Sequence, residues 1–248
     1  QLIQPISQIT NIIKTCIAGY LIKQGYSKLR TSSSLDLFSN FDENYSLNTF
    51  SENDFFEIRN IGIGSSFSVR LNYHIAREEL IVIKVPHGNN IETTKLLERE
   101  INNYSKIKCF FMPKYYGTVQ SKNYPVIEFI NGKTLSNIKE LNLEYKDKIT
   151  IIFQIITFIY CLHKNKFIYR DLKPNNIIID DYKRIFLLDF DRMIKYTDEK
   201  NEDKCTCDFS SDFIAPEVLQ GNIKYENDIF SLGKMIYFIF SDEYHQGI

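Results

Sequence analysis

Tyr169-Arg170-Asp171-Leu172-Lys173-Pro174-Asn175-Asn176, followed by Asp189-Phe190-Asp191, decides how this chain is read. Within a short span the two stretches supply three carboxylates, an ammonium, a guanidinium and two carboxamides. Asp171 stands as a base able to take the proton from an attacking hydroxyl. Asn176, five residues on, and Asp189, 18 positions after Asp171, are hard oxygen ligands of the kind that hold Mg²⁺. A single aspartate in a loop means little. Eight consecutive positions and a second motif at a fixed distance are a specific signal.

Outward from there, Ile61-Gly62-Ile63-Gly64-Ser65-Ser66-Phe67-Ser68-Val69 holds a Gly-x-Gly that a plain hairpin turn would also need. It precedes Leu80-Ile81-Val82-Ile83-Lys84, which reads as a strand ending on a lysine. A lysine among half-buried strand residues needs a partner. Leu97, Ile101 and Tyr104 recur at helical spacing within residues 94–107, and that helix offers Glu100, with Glu98 as a rival. Further on stand Asp212-Phe213-Ile214-Ala215-Pro216-Glu217 and the apolar helical run that follows Tyr225-Glu226-Asn227-Asp228.

Taken together, these motifs resemble the eukaryotic protein kinase superfamily, and the Ser/Thr protein kinase domain within it. The resemblance covers residues 54 to about 240. It implies an α+β fold of two lobes, with a small antiparallel β-sheet as N-lobe (54–130) and a mostly helical C-lobe (131–248). It also implies ATP and Mg²⁺ as cofactors, a protein substrate and an upstream activating kinase. Asp171 becomes the catalytic base and Lys173 the cation on the transferring phosphate. Asn176 and Asp189 become the metal ligands, and Lys84, paired with Glu100, the grip on the α- and β-phosphates. Arg99-Glu100-Ile101 matches the family's motif, which favours Glu100 over Glu98.

By the same resemblance Gly62 and Gly64 cover the phosphates, and Ile61, Val69, Val82 and Ile178 sandwich the adenine. Tyr124-Pro125-Val126-Ile127-Glu128-Phe129-Ile130 becomes the last N-lobe strand and the hinge. Ile127 is then the gatekeeper, and the Glu128 carbonyl and Ile130 N–H pair with the adenine edge. Asp228 accepts hydrogen bonds from the catalytic-loop backbone. Lys173 and Ser210 point to Ser/Thr specificity. Arg170 suggests control by activation-loop phosphorylation, with Thr206 as the candidate and Thr197 and Ser211 as rivals. Thr134 and Asn175 stand where acidic residues would select basic substrates, so no strong preference for those is expected.

Three residues depart from the family pattern. Phe67 replaces the third loop glycine, Asp191 the glycine of Asp-Phe-Gly, and Tyr169 the usual histidine. An ATP-binding pseudokinase acting as a signalling scaffold is therefore the alternative to an active enzyme. Tyr169, Phe190, Tyr104 and Tyr115 are expected to stack as a column joining the lobes.

The 248 residues carry a net charge of −1 and 44% hydrophobic residues, enough for a real core. Near-neutral charge gives no electrostatic footprint for nucleic acid or an anionic membrane. The apolar run from Ile149 to Leu162 is too short to span a bilayer and contains Gln154. It reads as the helix before the catalytic loop, with His163 at its end as a structural hydrogen-bonder. The five cysteines show no metal-ligand or disulfide spacing and read as free thiols in a reducing, cytoplasmic setting. Residues 1–30 read as a helical extension, from Ile6, Ile9, Ile13, Ile17, Tyr20 and Leu21, and 31–53 as a Ser/Asn-rich linker. The kinase-like part is shorter than the roughly 250 residues such a domain needs, so the C-lobe is expected to be incomplete.

Overall fold

The computed structural model describes residues 48–88, 91–107, 109–196 and 212–241. The expected helix within 1–30 lies outside them. Six strands form the upper sheet: β1 (Asn48–Phe50), β2 (Phe55–Ile63), β3 (Phe67–His74), β4 (Glu79–Pro86), β5 (Tyr115–Val119) and β6 (Tyr124–Glu128). Their spatial order is β1-β5-β6-β4-β3-β2, antiparallel except where β1 runs parallel to β5. β-Branched and aromatic residues fill these strands, as a pleated, half-buried surface favours. Strand alternation sorts β4 into two sets. Ile81 and Ile83 enter a core with Phe50, Tyr116 and Val126 on one face of the sheet. Val82 and Lys84 face the cleft on the other.

β1 corrects part of the expected linker. Residues 48–50 join the sheet instead, because Phe50 finds a buried place beside Phe55 and His74, with ring centroids 5.5 and 5.3 Å away. Gly117 permits the approach: its φ is 137°, and a Cβ there would lie 1.9 Å from the Asn48 carbonyl oxygen.

Helix α1 (Ile91–Lys106) begins three residues earlier than its apolar spacing indicates. It buries Leu97, Glu100, Asn103 and Tyr104, whereas Ile101 is only half-buried and Glu98 faces solvent. Glu100 is thus itself part of the buried stripe.

Below the sheet come β7 (Lys133–Thr134), α2 (Tyr145–Lys164), β8 (Phe167–Ile168), β9 (Ile177–Ile179), β10 (Ile185–Leu187), β11 (Ile194–Lys195) and α3 (Tyr225–Ser241). β10, β9 and β7 form one small sheet, β11 and β8 another. α2 is the core helix that the Ile149–Leu162 run predicts, with Ile151, Ile155, Phe158 and Leu162 fully buried. Its buried Gln154 has a task. Gln154 donates to the Lys183 carbonyl at 2.8 Å and accepts from the Ile185 N–H at 3.2 Å, tying α2 to the β9–β10 hairpin. α3 packs on α2 through Met235, Phe238 and Ile239, but Ile229, Tyr237 and Phe240 are exposed, so its apolar surface is covered on one side only among the described residues. No helix of the described residues is long and apolar enough to cross a membrane.

Candidate active site

The site assembles around one buried ammonium. β4 carries Lys84 into the interior, where its Nζ lies 2.7 Å from Glu100 Oε1 and 2.5 Å from Asp189 Oδ1. A desolvated lysine is stable only with such partners. Burial alone would depress its pKa, but Asp189 and Glu100 outweigh that and hold the ammonium well above the ordinary lysine value. Burial likewise pushes the Glu100 carboxyl up, to about 7, against the pull of Lys84. For Asp189 the balance falls the other way. Burial raises it, but Lys84, with Lys173 and Arg192, brings its carboxyl below the usual value.

The second cluster sits on the loop after β8. The Asp171 carboxylate receives Lys173 Nζ at 3.0 Å on both oxygens and Asn176 Nδ2 at 2.8 Å on Oδ2. Asn176 Nδ2 also donates to the Asp171 carbonyl at 3.0 Å. With the amide nitrogen so engaged, its Oδ1 is the end left to accept or to ligate.

The loop is held from beneath by Asp228, fully buried at the start of α3. Its carboxylate accepts from the Tyr169 and Arg170 N–H groups, both at 2.9 Å, and bonds His163 Nε2 at 2.8 Å. These bonds secure Arg170 at a φ of 71°, a costly geometry for a residue with a Cβ.

One cleft of 1310 Å³ collects almost all the residues singled out from sequence. Ile61, Gly62, Gly64, Val69, Val82 and Lys84 line it from the sheet side, and Ile127, Glu128 and Ile130 from the connection between lobes. Asp171, Lys173, Asn176, Ile178 and Asp189 line the floor. Glu100 lies behind Lys84. Thr206, Thr197, Ser210 and Ser211 lie outside the described residues.

The departures have distinct outcomes. In the Asp189-Phe190-Asp191 turn the positive φ, 57°, falls on Asp189, and Asp191 is not among the positive-φ residues. The missing glycine therefore imposes no left-handed strain at 191. Asp191 does bring a carboxyl to the cleft, raised by burial and by Asp189 and Asp171, with its Oδ1 buried and without a hydrogen-bond partner among the described residues. Tyr169 is wholly buried, and its hydroxyl donates to the Leu188 carbonyl. It closes the expected column: Tyr115 to Tyr104 at 5.5 Å, Tyr104 to Phe190 at 5.1 Å and Phe190 to Tyr169 at 5.7 Å. Phe67 projects toward Lys84, its ring centroid 5.8 Å from Nζ.

Two residues went unread in the sequence. Asn103 donates from α1 to the carbonyls of Phe190 at 2.7 Å and Met193 at 2.8 Å, fastening the helix to the turn after Asp189. A buried asparagine on a helix has no one-dimensional signature beyond its place in the apolar stripe, three residues after Glu100. Arg192 reaches to 3.8 Å from Asp171, bringing a third cationic or amide group to that carboxylate.

The residues fit a magnesium nucleotide. The Asn176 amide oxygen and the Asp189 carboxylate are hard oxygen donors, and Mg²⁺ is commonly held by one or two carboxylates together with substrate phosphates.

Comparison with known proteins agrees with this geometry. The carbon catabolite-derepressing protein kinase of Candida glabrata is 28% identical over 188 residues, covering 73% of this chain and 30% of that protein. Its counterpart in Saccharomyces cerevisiae is 27% identical over 188 residues, covering 73% and 29%. The maternal embryonic leucine zipper kinase of Xenopus tropicalis is 27% identical over 184 residues, covering 71% and 28%. The match thus spans under a third of each relative's length. The protein kinase domain family matches residues 55–245, nearly the whole of the stretch that builds the two lobes and the cleft. With that coverage, and with the buried lysine and the aspartate loop meeting in one cleft, the chain belongs to the protein kinase family.

Proposed function

We propose that this chain transfers the γ-phosphate of Mg·ATP to serine or threonine hydroxyls of a protein. The observation that carries the reading is the meeting of two clusters, Lys84–Glu100–Asp189 and Asp171–Lys173–Asn176, on opposite sides of one cleft.

In this reading Ile61, Val69, Val82 and Ile178 enclose the adenine, with the Glu128 carbonyl and Ile130 N–H on its edge and Ile127 behind it. Lys84 binds the α- and β-phosphates while Glu100 holds its ammonium in place. The Asn176 amide oxygen and an Asp189 oxygen hold Mg²⁺, which would neutralise charge on the phosphates when bound. Asp171, oriented by Lys173 and Asn176, accepts the proton of the attacking hydroxyl. Lys173, at 3.0 Å from that carboxylate, keeps positive charge where the phosphoryl group passes. The protein's work is positioning and charge stabilisation. Lys173 supports Ser/Thr acceptors, as do the similar protein kinases. Thr134 and Asn175, both on the cleft, support a substrate without strongly basic flanks. Cys109 and Cys161, both buried and outside any disulfide, suit a cytoplasmic setting, and Thr206 remains the proposed site for an activating kinase.

Phosphate transfer from labelled Mg·ATP to a generic protein substrate tests this, with Asp171→Asn beside the unaltered chain. Transfer is expected to fall by roughly 10²–10⁴-fold in the variant. Equal transfer by both would refute the role of Asp171, and ATP binding without any transfer would favour the pseudokinase scaffold.

A further inference from the structure

We propose that Phe67 is a gate on the phosphate end of the cleft, an aromatic side chain that nucleotide phosphates must displace from Lys84. The proposal rests on the nucleotide reading above and concerns a position where the family resemblance leads one to expect a glycine, with no side chain at all.

The argument begins with strand alternation. Val69 pairs with Lys84 across β3 and β4, and Phe67, two residues before Val69, points to the same face. Both line the cleft. Phe67 is 7% exposed although Ile63, across the turn, is 79% exposed, so its ring is tucked beneath the loop. The backbone there is fixed. The Gly64 N–H donates to the Phe67 carbonyl at 2.8 Å, and the His87 N–H donates to the Ser66 carbonyl at 3.0 Å. The ring can therefore leave Lys84 by side-chain rotation without the strand being unpaired.

Distance then decides the outcome. The ring centroid lies 5.8 Å from Nζ. A phosphate oxygen accepting from that ammonium would sit about 2.8 Å from it. On the line to the ring this leaves about 3 Å, less than the roughly 3.5 Å that non-bonded heavy atoms need. The face of the ring is also electron-rich, attracting the ammonium and repelling an anion. The ring and the phosphates thus compete for one side of Lys84. Binding of the adenine, at the far end between Ile61 and Ile178, does not involve the contest. The gate consequently weakens nucleotides in proportion to their phosphates and leaves the nucleoside alone.

The test is calorimetric titration of the chain with adenosine and with Mg·ATP, for the unaltered protein, Phe67→Ala, Phe67→Gly and Phe67→Tyr. The quantity read is the ratio of the two dissociation constants within each protein, so adenosine binding reports an intact fold. Removal of the ring is expected to raise the preference for Mg·ATP over adenosine roughly five- to thirtyfold, the range of a desolvated cation–π contact. Phe67→Tyr keeps the ring and should keep the ratio of the unaltered chain. An unchanged or lower preference in the alanine and glycine variants overturns the gate while leaving the nucleotide reading in place. Failure of the unaltered chain and every variant to bind either ligand overturns both.

Discussion

At the scale of single residues, the Glu100 carboxyl faces opposed demands. Burial lifts it from an ordinary 4.5 to about 7, with Lys84 pulling it down. Between those values the folded chain keeps a proton that the unfolded chain has released. This carboxyl's contribution to stability therefore falls as pH rises across that window. The ion pair with Lys84 needs the same proton gone. Phosphate transfer should accordingly climb as pH rises through about 7 and level off above it, and Glu100→Gln should be slower and lack that limb. A wild-type rate profile that is level from pH 6 to 8 would contradict this. Much at this scale was legible in the sequence: Lys84, Asp171, Asn176 and Asp189, which its motifs single out, line one cleft. Of the two glutamates the sequence offered, Glu100 is the one that meets Lys84, and Glu98 faces solvent. Glu100 belongs to the buried stripe of α1, while Ile101 beside it is only half-buried. The gap lay in side chains whose role depends on a distant partner. Nothing within a few residues of Asn103 or Arg192 announces the carbonyls or the carboxylate that each meets across the fold.

Among the elements, α1 and β1 depend on contacts that can be removed one at a time. Asn103→Ala takes donors from two carbonyls in the turn after Asp189, and burial leaves those oxygens without water. A loss of about 1–3 kcal/mol is expected from urea unfolding, together with slower transfer, because α1 and the Asp189 turn would no longer be tied. Unchanged stability would show that the turn is held by its aromatic packing alone. Gly117→Ala asks a different question. The new Cβ would meet the Asn48 carbonyl, so β1 must leave β5 or β5 must shift. Amide hydrogen exchange should then rise at Thr49, Phe50 and Gln120, the last of which donates to the Phe50 carbonyl at 2.9 Å, while exchange in β3 and β4 stays slow. Equal protection of β1 in both proteins would exclude the steric account. This strand was hidden within a polar, turn-rich stretch. Its three residues carry no periodic signal, and pairing with β5 is a non-local event that only the assembled sheet defines.

The whole molecule is joined across the cleft by aromatic rings. Tyr115 and Tyr104 come from the upper lobe, Phe190 and Tyr169 from the lower, and Phe158 of α2 meets Tyr169 at 5.5 Å. The order of this column was readable from the family resemblance, but its strength is a matter of burial. Tyr104→Ala would open a hole in its middle and should cost about 3–5 kcal/mol, read by thermal or urea unfolding. Tyr104→Phe is the control. The Tyr104 hydroxyl is buried without a hydrogen-bond partner among the described residues, so its removal should leave stability unchanged or raise it. A large loss in the phenylalanine variant would mean that the hydroxyl, not the ring, matters.

The parallel pairing of β1 with β5 also has a mechanical side. It fastens the chain to the outer edge of the upper sheet, at the opposite edge from β2, with Phe50 as the peg. The described chain thus enters the fold at this edge of the sheet. Tension applied to the chain at Asn48 would therefore enter β5 and the Phe50 cluster before it reached Lys84 on β4.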